Sequence, residues 1–92
     1  MNTCYRRSPA IETAPLQDET ILFDPAKNKF CVLNRTASFL WTELSAPATS
    51  ETLARKLCSS FSGVALDDAQ RDTERTLQEM LSLSFVLGEP EK

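Results

Sequence analysis

The stretch that decides the fold reads Thr20-Ile21-Leu22-Phe23-Asp24-Pro25-Ala26-Lys27-Asn28-Lys29-Phe30-Cys31-Val32-Leu33-Asn34. Thr20–Asp24 and Lys29–Leu33 are both rich in β-branched and aromatic residues, which suit a pleated surface. Between them lies Pro25-Ala26-Lys27-Asn28. Proline presets the backbone at the start of a turn, and asparagine tolerates the left-handed conformation near its end. Two strand-forming runs joined by such a loop predict an antiparallel hairpin. Both strands are apolar on both faces: Ile21 and Phe23 alternate with Leu22, and Phe30 and Val32 with Cys31 and Leu33. An antiparallel sheet with one wet face shows a single apolar side. The second face is therefore either covered by helices and an N-terminal strand or left as a docking surface.

Downstream, the apolar period changes from two to about 3.6. Asn34 is a good N-cap for a first helix, whose buried side is Leu33, Ala37, Leu40, Trp41 and Leu44. Ser45-Ala46-Pro47-Ala48 stops it. Thr49 or Ser50 caps a second helix with Leu53, Leu57 and Phe61 inward, and Ser62-Gly63 ends it. Glu51 suits the dipole of its first turn. Asp67 is the expected cap of a third helix that runs through Thr73, Leu77, Met80 and Leu81 to about Leu83. Ser84–Leu87 reads as a short docked tail, and Gly88–Lys92 as a polar end.

Upstream, Gln17-Asp18-Glu19 reads as a turn, and Ala10–Ala14 as a short strand with Ile11 and Thr13 on one face, ended by Pro15. The first few residues, ahead of Arg6, Arg7 and Pro9, are expected to be mobile. The order predicts an α+β, winged helix-turn-helix-like domain: an N-terminal antiparallel sheet of two to three strands followed by three helices.

The composition narrows the chemistry. At 92 residues the chain is one domain, 1–92, with an ordered core expected over about 9–87. It is 41% hydrophobic, too apolar for general disorder, and carries a net charge of −3. Without histidine there is no Ser-His-Asp or Cys-His machinery and no His-ligated metal. Two glycines, Gly63 and Gly88, cannot build a phosphate-cradling loop. Cys4, Cys31 and Cys58 show no CxxC spacing and read as free thiols, with Cys31 and Cys58 expected to be buried. No apolar run reaches the ~18–20 residues that span a bilayer, and no signal peptide opens the chain. A non-enzymatic cytoplasmic protein without metal or cofactor, and without a membrane partner, is expected.

The stretch from Thr20 to about Val86 resembles the PqqD-like family, the peptide-recognition domains of pathways that modify ribosomally made peptides. The residues that carry this are Leu22-Phe23-Asp24-Pro25, then Lys29-Phe30-Cys31-Val32-Leu33-Asn34, then Ala37 with Leu40-Trp41. Thr49, Leu53-Ala54 and Leu57 follow, and Asp72 stands at the acidic position that opens the family's final helix. Two positions depart from the pattern. Ser45-Ala46-Pro47 replaces an Asp-Gly-like turn, and Thr73 follows Asp72 where an aliphatic is usual. The resemblance implies a non-catalytic chaperone that binds the leader segment of a precursor peptide. It would deliver that peptide to a modifying enzyme of the same pathway, such as a radical SAM enzyme or a leader peptidase. In such domains the leader adds a strand to the sheet edge and lies against the third helix.

An open sheet edge independently suits that mode, because its unpaired N–H and C=O groups can take up an extended peptide. Lys29, Phe30, Cys31, Val32 and Leu33 form the expected edge. On a helical wheel centred on Leu77, one flank carries Ala69, Thr76, Met80 and Leu83 and is less charged than the other, which carries Arg71, Glu74 and Gln78. Thr76 and Met80 are thus candidate contacts, although Met80 and Leu83 are equally explained by core packing. Asp72 is a candidate from the resemblance. Arg75, like Arg71, could pair with acidic leader residues or simply be solvated.

A winged-helix DNA-binding regulator is the alternative. Residues 47–92 hold five basic and eight acidic residues, the wrong balance for phosphate contacts, so no nucleic-acid partner is expected. A homodimer formed through the same open edge is a further alternative, compatible with peptide binding.

Overall fold

The structure is a computed structural model that describes residues 3–17 and 19–90. Its elements in chain order are β1 (Thr3–Arg7), β2 (Glu12–Pro15), β3 (Thr20–Asp24), β4 (Lys29–Leu33), α1 (Arg35–Glu43), β5 (Ala48–Thr49), α2 (Ser50–Ser60), α3 (Leu66–Ser82) and β6 (Val86–Pro90). The class is α+β, as expected, and the expected sheet is present in the order β2-β3-β4, all antiparallel.

A second three-stranded sheet, β5-β1-β6, was not anticipated. The described part of the N-terminal segment is not a free end: Thr3–Arg7 pairs with Pro90–Val86 along its whole length, and Cys4 and Tyr5 also pair with Thr49 and Ala48. The tail is likewise a strand, so Gly88 to Pro90 belong to the sheet. The β1–β6 pairing joins residues 79 to 87 positions apart and the β1–β5 pairing residues 43 and 45 apart, separations that no local pattern encodes. The expectation for Met1, Asn2, Glu91 and Lys92 lies outside the described residues, as does that for Asp18. The flanking Leu16 N–H does donate to the Glu19 carbonyl at 2.8 Å, closing a turn there.

The hairpin turn is held as its residues suggest. Asp24, 5% exposed, accepts from the backbone N–H groups of Ala26 (3.0 Å) and Lys27 (3.3 Å), while Asn28 takes a positive φ of 54°. Asn34 caps α1, its side-chain oxygen accepting from the Ala37 N–H at 2.8 Å. Thr49, not Ser50, caps α2. At α3 the expected cap is displaced: the helix starts at Leu66 behind Ala65, which gives no side-chain hydrogen bond. Asp67 and Asp68 instead lie inside the first turn, where their charges favour the helix dipole. Ser84, at φ 63°, turns the chain out of α3, and the Phe85 N–H reaches back to the Met80 carbonyl at 2.9 Å.

The main core gathers Leu22, Leu33, Leu40, Trp41, Leu44, Leu53, Leu77, Phe85 and Val86, with Tyr5 from β1. A smaller cluster of Ala54, Leu57 and Ala69 joins α2 to α3. Ala69, on the less charged flank of the helical wheel, is therefore fully buried against α2 and is not available to a peptide. The hairpin's inner face is covered. Its outer face is not: Phe30 is 70% and Val32 58% exposed, with Ile21 and Phe23 half-buried beside them. Cys31 and Cys58 are half-buried rather than buried, and so is Cys4.

Candidate functional site

β4 has β3 on one side and no strand on the other among the described residues. The chain leaves it at Asn34 and turns into α1, so its outer backbone edge is open over Lys29–Leu33. The strand is kept in place by pairing with β3, from Thr20 opposite Leu33 to Asp24 opposite Lys29. It is also anchored by Leu33, whose side chain is in the core and whose carbonyl accepts from the Ser38 hydroxyl at 3.2 Å.

Beside this edge runs a trough of about 340 Å³ between β4 and the C-terminal half of α3. Cys31, Val32 and Leu33 form one wall; Arg75, Thr76, Glu79 and Met80 form the other; Asn34 and Ala37 close one end, and Leu83 and Phe85 border it too. A smaller annex of about 220 Å³ continues past Cys31, Leu83 and Phe85 toward Lys29 and Phe30. Helical spacing explains the α3 wall: Thr76, Met80 and Leu83 lie three or four residues apart and so share a face. Met80 does both jobs left open by the sequence. It is only 3% exposed and belongs to the core, yet it lines the trough. Leu83, by contrast, is 42% exposed and not part of the core.

Of the nine residues singled out, the structure brings eight to this trough and its annex: Lys29, Phe30, Cys31, Val32, Leu33, Arg75, Thr76 and Met80. Asp72 does not line it. Its carboxylate instead meets the Arg75 guanidinium at 3.3 Å, so it acts on the trough only through that side chain. Beyond the expected contacts, the trough is lined by Asn34, Ala37, Glu79, Leu83 and Phe85, and the annex also by Asp24, Lys27 and Ser82. Leu83 lay on the flank already identified. Glu79 is a charged residue outside the apolar spacing of α3, and Phe85 arrives only through the turn at Ser84.

Burial pushes the Cys31 thiol above its ordinary value, and the negative charge of Glu79 adds to the shift. The protonated thiol is thus favoured, and Cys31 acts as a small apolar wall residue. The described residues include no cluster of His, Cys, Asp and Glu able to hold a metal ion. No helix in the described residues is long and apolar enough to cross a membrane.

Comparison with known proteins bears on this arrangement. The family model described as coenzyme PQQ synthesis protein D (PqqD) matches residues 19–86, which span the hairpin, all three helices and the entry to β6. Among solved structures, one of TbiB1 in complex with the TbiA(beta) leader peptide superposes with a TM-score of 0.80 at 20% identity. It covers 94% of this chain and 99% of the other. A lasso peptide synthetase B1 complexed with the leader peptide superposes with a TM-score of 0.76 at 24% identity, over 90% and 96% of the two chains. The comparison with curated proteins found no match.

Proposed function

The chain belongs to the PqqD family, and from that premise we propose that it captures the leader segment of a ribosomally made precursor peptide by strand addition to β4. The observation that carries this is the open β4 edge lying directly along a trough walled by α3. Backbone pairing supplies affinity for any extended segment, and the trough sorts its side chains. Both superposed structures hold a leader peptide, which supports the same occupant here. The bound peptide is handed to a modifying enzyme of the same pathway, and the chain itself is not the catalyst. The exposed outer face around Phe30 and Val32 offers that enzyme apolar surface next to the peptide. The setting is the cytoplasm, where precursor peptides are made.

The DNA-binding reading finds no support in the surface of α3. Its two arginines are already paired with carboxylates of their own helix, Arg71 with Asp68 at 3.4 Å and Arg75 with Asp72 at 3.3 Å. Asp67, Glu74 and Glu79 leave it net acidic.

The test is calorimetric titration with synthetic leader peptides from short precursor genes neighbouring its own gene. Val32→Pro changes an edge strand that tolerates proline, and Thr76→Trp fills the trough from the helix side. Both variants are expected to weaken binding more than tenfold while far-UV circular dichroism stays unchanged. Undiminished affinity in both folded variants overturns strand addition at β4.

A further inference from the structure

The trough and its annex form one path along β4, divided where Cys31, Leu83 and Phe85 border both compartments. The two ends differ in charge. At the turn end, Lys27 and Lys29 are exposed and make no ion pair among the described residues. The neighbouring Asp24 carboxylate is occupied by the turn, accepting from the N–H groups of Ala26 and Lys27. At the other end the positive charge is already answered: Arg75 is held by Asp72, and Glu79 adds a carboxylate that no cation meets among the described residues. Lys27, Lys29 and Asp24 thus leave the turn end with a net formal charge of +1, whereas Arg75, Asp72 and Glu79 leave the other end at −1.

Strand geometry converts this into a spacing. Lys29, Cys31 and Leu33 pair with Asp24, Leu22 and Thr20, all buried, so the three share the inner face of β4. In a strand laid beside β4, alternate residues fall on that same face. The residue level with Cys31 meets the apolar partition, and the one two positions away meets the lysines.

We propose that the trough selects peptides carrying an acidic side chain two residues from an apolar anchor, the anchor against Cys31, Leu83 and Phe85 and the acid between Lys27 and Lys29. This deepens the leader-binding reading and rests on it. The spacing holds whichever way the added strand runs; only the order of the two residues changes. The acid is drawn to this end because the two lysines there outnumber the one carboxylate, Asp24, and neither is held in an ion pair among the described residues, and it is repelled from the other end by Glu79 and Asp72.

The test is selection of a yeast-displayed library of short random peptides on the full chain and on the Lys27→Glu/Lys29→Glu double variant. Both lysines are exposed, so the double variant is expected to fold. Wild type is expected to enrich Asp or Glu two positions from a large apolar residue, and the double variant to enrich Lys or Arg there. Reversing the acid of a winning peptide is expected to weaken wild-type binding about three- to tenfold, with recovery on the double variant. Winners that Thr76→Trp rejects but that carry no acid at that spacing overturn this proposal and leave leader binding intact. A library yielding no binder sensitive to Thr76→Trp overturns both.

Discussion

The guanidinium of Arg7 lies 4.7 Å above the ring of Trp41 and donates through Nε to the Trp41 carbonyl at 2.9 Å. One side chain of β1 thereby gives a second donor to a carbonyl in the last turn of α1, which within the helix accepts from the Leu44 N–H at 3.2 Å. The same tryptophan donates from Nε1 to the Thr13 hydroxyl of β2 at 3.0 Å. Trp41, 1% exposed, therefore ties both sheets to the first helix. Arg7→Ala removes a partly desolvated cation–π contact and a charged hydrogen bond, and is expected to cost about 2–4 kcal/mol. Arg7→Lys keeps the charge without the planar fork and should recover less than half of it. Urea denaturation of the three proteins measures this.

The left-handed turn after α3 is a second point of leverage. Ser84 sits at φ 63°, a conformation that costs a residue with a Cβ about 1–2 kcal/mol, whereas glycine adopts it freely. Part of that gain is offset by the larger entropy glycine loses on folding. Ser84→Gly is thus expected to stabilise the fold by about 0.5–1 kcal/mol, read as a raised urea midpoint at unchanged slope. Ser84→Val, β-branched, should lower the midpoint and loosen Phe85 at the trough wall.

What could be read from the chain divides by the range of the interactions. The hairpin and three helices are local: Pro25 and Asn28 mark one turn, Asn34 and Thr49 cap two helices, and the Leu40-Trp41 and Leu53/Leu57 spacing sets their buried faces. The second sheet is not local. Cys4 finds Glu89 only once the helices have brought the two ends together, so Thr3–Arg7 read as a loose end and Val86–Pro90 as a tail. The cap of α3 is Ala65, which has no capping side chain to mark it, whereas Asp67 is the nearby residue of a capping type. At the site, the strand wall and the Thr76–Met80 flank followed from periodicity. Phe85 depends on the turn at Ser84, and the half-burial of Cys31 on its place at an open edge; neither has a signature in the neighbouring residues.

The uncovered face of the hairpin gives a prediction that separates surface from core. Phe30 is 70% exposed, yet its ring centroid is 4.5 Å from that of Phe23, tilted by 33°. Phe30→Ala should cost about 0.5–1.5 kcal/mol, the worth of an aromatic pair, against about 2–5 kcal/mol for Leu77→Ala, which hollows a fully buried position. Chemical denaturation of both variants checks the ratio. A larger cost for Phe30→Ala than for Leu77→Ala would mean that the outer face is packed.

Cys31 and Glu79 face each other across the trough, and their pairing can be read chemically. Burial first, and the Glu79 charge second, raise the Cys31 thiol above its ordinary value of 9.0. The sign for stability follows: the folded state keeps its proton where the unfolded thiol has lost it, so this contribution is intact below pH 9 and declines as pH rises through the folded value. Because only the thiolate is alkylated, Cys31 should react with iodoacetamide more slowly than a small-molecule thiol of ordinary pKa at pH 8. Glu79→Gln removes the smaller cause and should speed the reaction modestly, while leaving most of the suppression in place. A bound leader peptide should slow it further by covering the trough. Site-resolved mass spectrometry after timed alkylation follows all three. Equal rates for Cys31 with and without saturating peptide would place the peptide elsewhere on the molecule.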